Sequence, residues 1–100
     1  MFLILTSKPG QFRTEAGDGL RPVESHDYVF CGRTLARFVI AELTGELSAT
    51  RVRVVDETGD PVVNRVPAKF LEKFETVADA RRELEQLTAF GSADTVLVKV

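Results

Sequence analysis

The stretch LARFVIAEL, residues 35–43, is apolar at four successive positions: Phe38, Val39, Ile40 and Ala41. A strand with one side in water alternates apolar and polar residues, because successive side chains point to opposite faces. This run therefore reads as a central strand, buried on both sides. Residues 1–6, MFLILT, have the same character and the same strand length. They lack a basic flank and a small-residue cleavage site, and fall far short of the ~20 apolar residues that span a bilayer. They read as the first strand of a sheet, and the chain is expected to be cytoplasmic.

Two hairpins follow from turn chemistry. In residues 27–43 the segment Cys31-Gly32-Arg33-Thr34 offers glycine at the first central position of a two-residue type II′ turn, Gly32-Arg33. That register sets Phe30 opposite Leu35, Tyr28 opposite Arg37 and His26 opposite Val39. RVRVVDE and PVVNRV, on either side of TGD, form the second hairpin. Between the first strand and these hairpins lies a long turn-rich stretch, residues 7–25. QFRTE and LRPVE flank AGDG there, whose glycines can adopt positive φ, and the reading is a short irregular hairpin with Pro22 on an edge.

From Pro67 the periodicity changes. PAKFLEKF places Phe70, Leu71 and Phe74 at helical spacing, as a short helix whose apolar residues join the core with Val77. Thr76 caps a longer helix, with Asp79 completing a capping box. Val77, Ala80, Leu84 and Leu87 form its apolar stripe, Arg81 and Glu85 pair outside, and Gly91 stops it. TVLVKV closes the chain as a strand, and both terminal strands are expected inside the sheet. The fold class is α+β: a mostly antiparallel sheet of five or six strands, with one main C-terminal helix on one face. If the strands around that helix shared a sheet in parallel, the crossover would be right-handed.

Length bounds the rest. One hundred residues make a single domain, 1–100, and 44% apolar residues suffice for a core. The one cysteine cannot form an internal disulfide. A net charge of −2 gives no general attraction for nucleic acid or anionic membrane.

SHDYVFCGR, residues 25–33, holds the chain's only histidine, tyrosine and cysteine. In a strand, His26 and Cys31 point to opposite faces and lie roughly 16 Å apart at ~3.3 Å per residue. They cannot share a proton or a metal ion, and no second cysteine or histidine exists to complete a site. No catalytic residue, metal site or cofactor is therefore expected. Tyr28 and Arg37 read as a cross-strand stacked pair at the sheet rim, or as a polar lip on a binding surface. Cys31 reads as a small semi-buried residue at a strand end, or as an exposed redox-sensitive thiol beside Arg33.

The second hairpin carries the most distinctive charge pattern. Val52, Val54, Val62 and Val66 face inward if the loop holds one bulged residue, and Arg51, Arg53 and Arg65 then share the outer face. Like charges across strands repel, so an acid on an adjoining strand, such as Glu42 or Glu46, or an acidic partner must compensate. The glycines of GDG precede no helix and bind no phosphate in the P-loop manner, and Asp56, Glu57 and Asp60 read as solvated turn acids rather than a calcium loop.

The leading expectation is a small non-enzymatic accessory or regulatory protein that binds another protein, such as an enzyme complex with an acidic surface. Its contact residues would be Arg51, Arg53 and Arg65 with residues 8–24, and with Tyr28 and Arg37 beside them. One alternative is a nucleic-acid-binding module using the same arginines, although no aromatic platform accompanies them. Another is a small-molecule site or minor enzyme built from His26, Tyr28 and Arg37. A homodimer through an edge strand is compatible with each.

Overall fold

The computed structural model describes residues 1–89 and 95–100. Seven strands form two antiparallel sheets, with one helix: β1 Phe2–Ser7, β2 Phe12–Ala16, β3 Leu20–Phe30, β4 Arg33–Leu43, β5 Arg51–Asp56, β6 Val63–Pro67, α1 Val77–Thr88 and β7 Thr95–Lys99. The larger sheet has the order β1-β4-β3-β7 and the smaller one β2-β5-β6. The class is α+β as the sequence indicates, but with seven strands in two sheets instead of five or six in one.

The second sheet follows from the doubly apolar strands. In β1, Phe2 and Ile4 point to the helix side, while Leu3 and Leu5 point to the other. In β4, Ala36, Phe38 and Ile40 face the helix, and Val39, Ala41 and Leu43 face away. A single helix covers only one of these faces. Val52, Val54 and Val66 of the smaller sheet cover the other, giving three layers and two cores. Leu3, Leu5 and Val52 are almost completely buried between the sheets, as Leu84 and Ala80 are beneath the helix. Burying one leucine in this way contributes about 1.5–3 kcal/mol.

Several local expectations are corrected. β2 and β3 do not form a hairpin: β2 pairs with β5 and β3 with β4, so the chain changes sheets between them. The turn that makes this change needs both its glycines. Gly19 has φ +89°, and a Cβ on Gly17 would lie 2.6 Å from the Arg51 carbonyl oxygen. The terminal strands β1 and β7 occupy the edges of the larger sheet, because β3 and β4 are the longest strands and fill its middle. β6 and β7 lie in different sheets, so no parallel crossover arises.

The β3–β4 turn is Cys31-Gly32, one residue earlier than expected. Both have positive φ, 49° and 77°, the pattern of a type I′ turn. A bulge between Tyr28 and Val29 then sets Tyr28 opposite Ala36, Asp27 opposite Arg37 and His26 opposite Phe38. A one-residue shift moves every side chain to the other face. Here it turns Tyr28, half-buried, to the helix side and gives Arg37 an acid to pair with.

Thr76 caps α1 as expected, accepting from the Asp79 amide at 3.0 Å. Ala80 and Leu84 are buried, but Leu87 at the end of the stripe is 59% exposed. Arg81 pairs with Glu24 of β3 rather than with Glu85. PAKFLEKF forms one 3₁₀ turn, Ala68–Phe70, not a short helix. Phe70 is 72% exposed, whereas Leu71 packs against the inter-sheet core and Phe74 against the helix-side core. Val62 is exposed and precedes β6 instead of facing inward, since the ladder begins at Val63. Gly91 lies outside the described residues.

Candidate functional site

The outer face of the smaller sheet gathers the charged residues. Along β5, Val52 and Val54 are turned to the inter-sheet core, so Arg51 and Arg53 are turned outward. Arg65 of β6 lies directly opposite Arg53, and Glu15 of β2 lies opposite Arg53 on its other side. One row across the sheet thus reads Glu15, Arg53, Arg65. Arg51, Arg53 and Arg65, with Asp18 from the turn after β2, line an open cleft of about 550 Å³.

The charges there do not balance within the cleft. Arg53 Nη1 stands 3.5 Å from Glu15 Oε1, but Glu15 also accepts from Arg13 Nε at 3.2 Å. The compensating acid is therefore Glu15, not Glu42, which pairs with Arg21, nor Glu46. Arg51 Nη1 donates to the carbonyls of Ser48 and Thr50, at 3.2 Å each, and has neutral partners only among the described residues. Arg65 makes no ion pair among the described residues. Guanidinium groups keep their charge and present planar paired donors, which suit carboxylates and phosphates. No serine, cysteine or histidine lines the cleft. Its exposed donors are the kind that suit an anion.

The other predicted residues do not assemble. His26 and Tyr28 face the helix, where Tyr28, half-buried, packs against the helix-side core. His26 Nε2 lies 2.5 Å from Glu24 Oε1, with both side chains buried. Arg37 is on the opposite face, where its Nε and Nη2 meet the two oxygens of Asp27 at 2.6 and 2.9 Å. These bonds hold the Asp27 carboxyl below its ordinary value. The Tyr28–Arg37 stack is thereby replaced by an ion pair, and His26, Tyr28 and Arg37 share no cavity. An open hollow of about 430 Å³ beside Arg37 is lined by Ser7, Phe12 and Val39 and by neither His26 nor Tyr28. The arginines there are already matched: Arg13 to Glu15 and Glu57, Arg37 to Asp27.

Cys31 is exposed at the hairpin tip, not semi-buried, because the turn falls on it. His26 is buried in the middle of the same sheet, so the two are not brought together. Asp56 accepts from the amide and hydroxyl of Thr58, at 2.7 and 2.6 Å, as a turn acid does, and these bonds lower its pKa.

The sequence gives no hint of one buried cluster. Glu24, 5% exposed at its side chain, accepts from Arg81 Nε and Nη2 at 2.7 and 2.5 Å and lies 3.8 Å from Lys99 Nζ. The Arg81 hydrogen bond, aided by His26 and opposed by burial, holds its carboxyl down to about 2. Glu24 comes from β3, Arg81 from α1 and Lys99 from β7, so the cluster ties three elements together. All its groups have partners, which makes it a structural clamp.

Among the described residues, no group of three or more histidines, cysteines or acids is placed to hold a metal ion, and no helix is long and apolar enough to cross a membrane. Comparison with known protein families, with curated proteins and with solved structures finds no match for the chain.

Proposed function

We propose that the protein is a small cytoplasmic, non-enzymatic binding module that captures an acidic segment of another protein in the arginine cleft. One observation carries this reading: Arg53 and Arg65 stand directly opposite each other at the cleft wall, beside Glu15, which Arg13 also engages. Directly opposed like charges cost stability. An anionic partner offsets that cost, and its carboxylates gain paired hydrogen bonds from guanidiniums carried on neighbouring strands of one sheet.

A partner protein suits the surface better than nucleic acid. The lining of the cleft holds no aromatic side chain on which a base could stack.

The test is affinity capture from nuclease-treated extract with the native protein and the double variant R53E/R65E. Both residues are exposed, so the variant keeps its fold, as circular dichroism would verify. The proposal expects a partner retained by the native protein and lost by the variant. Identical retention by both would remove the cleft from consideration. Loss of retention on nuclease treatment alone, together with a steep salt dependence of oligonucleotide binding, would favour nucleic acid instead.

A further inference from the structure

The larger sheet ends in β7. The Val100 amide donates to the Ser25 carbonyl at 2.8 Å. By antiparallel alternation, the backbone groups of Val96, Val98 and Val100 point toward β3, and those of Leu97 and Lys99 point outward. Among the described residues, no other strand pairs with that side of β7 at Leu97 and Lys99. Val96, Val98 and Val100 are 51%, 46% and 67% exposed, an apolar row on the sheet face that the smaller sheet leaves uncovered.

The remaining edges are guarded. Phe2 of β1 exchanges two backbone hydrogen bonds of 2.8 Å with Phe74. On β2, the Thr14 amide donates to Ser7 Oγ at 2.9 Å, and Phe12 is bridged to Lys8. β6 presents Arg65 and ends at Pro67, which lacks a donor. β7 has no proline and no bulge, and its one charge, Lys99, leans toward Glu24 on the helix side.

We infer that β7 pairs with β7 of a second copy of this chain, joining the two larger sheets into one antiparallel sheet of eight strands. The register that uses the outward groups is centred on Val98. Leu97 then exchanges hydrogen bonds with Lys99 of the other copy, and symmetry repeats the exchange, for four bonds in all. Val98 meets its own counterpart, and each Val96 meets a Val100. No two charges of one sign oppose each other. This self-complementarity is what a two-fold interface demands, and it is why a second copy, rather than an unrelated strand, suits the edge. The pairing engages one short strand from each copy, where a standard interface uses roughly 20–30 residues a side. The dimer is therefore concentration-dependent, and forms apart from the arginine cleft on the smaller sheet.

Sedimentation velocity of the full chain from about 10 μM to about 1 mM measures the association. The native protein should shift from monomer toward dimer over this range. Val98→Lys, which sets two ammonium groups face to face, should weaken association by up to about fivefold, with an unchanged circular dichroism spectrum. Register is read by oxidative cross-linking in a Cys31→Ser background. Opposed residues of a non-hydrogen-bonded pair lie ~4.5 Å apart at Cα, within disulfide reach. Val98→Cys should therefore form a covalent dimer and Val96→Cys should not. A native chain that stays monomeric throughout, association that survives Val98→Lys, or a V98K variant that loses only the capture of another protein would each overturn the proposal.

Discussion

Arg81 of α1 donates from Nε and Nη2 to the two carboxylate oxygens of Glu24 on β3, and this pair fastens the helix to the middle of the larger sheet. The carboxylate is buried and the guanidinium is about half exposed. Removing the arginine leaves Glu24 with His26 and a more distant Lys99. Arg81→Ala should therefore destabilise by about 1–3 kcal/mol in denaturant unfolding. Arg81→Lys should recover only part of this, because an ammonium cannot reproduce the two parallel donors.

The same cluster sets the acid limit. Glu24 is held down to about 2 from an ordinary 4.5, first by the Arg81 hydrogen bond, and Asp27 is lowered from an ordinary 3.8, first by that of Arg37. The unfolded chain thus binds more protons than the folded one at acid pH, so stability falls as pH falls. The contribution of Glu24 is complete above about 4.5 and drains away between there and about 2. Unfolding free energies measured from pH 6 to pH 3 should decline more steeply for the native chain than for Glu24→Gln.

Cys31 is the one described non-glycine residue with positive φ, at 49°. A left-handed conformation is costly for an ordinary side chain, and Asn-Gly is the favoured sequence of a type I′ turn. Cys31→Asn should raise stability by about 0.5–1 kcal/mol, seen as a higher Tm. An unchanged or lower Tm would contradict the turn assignment.

Phe70 and Leu84 separate surface from core. Phe70 is 72% exposed at the end of the 3₁₀ turn, and Leu84 on the inner face of α1 is fully buried. Phe70→Ser should change stability by no more than about 0.5 kcal/mol, whereas Leu84→Ala should cost about 2–5 kcal/mol.

These residues also show how far the sequence could be read. The α+β class, the Thr76 cap, the β5–β6 hairpin and the grouping of the three arginines were legible, because each depends on alternation or on a local turn. The smaller sheet as a separate layer was not. LARFVIAEL and MFLILT are apolar on both faces and so require two covers, but pairing of β2 with β5 joins distant segments that carry no local mark. The Tyr28–Arg37 pairing failed for a narrower reason. Glycine favours positive φ at either central turn position, and the bulge after Tyr28 is set by packing and by the Asp27–Arg37 pair. The Glu24 cluster was invisible because its acid and its principal base come from elements far apart in the chain.

The most direct test of the arginine cleft is the capture of the partner by Arg65→Glu, measured beside its thermal stability. The substitution replaces a repulsive Arg53–Arg65 contact with an attractive pair on an exposed sheet surface. If the cleft keeps its charges for a partner, the variant should melt higher, by about 0.5–1 kcal/mol of added stability, and lose the partner. A variant that gains stability and still binds as the native protein does would contradict the account.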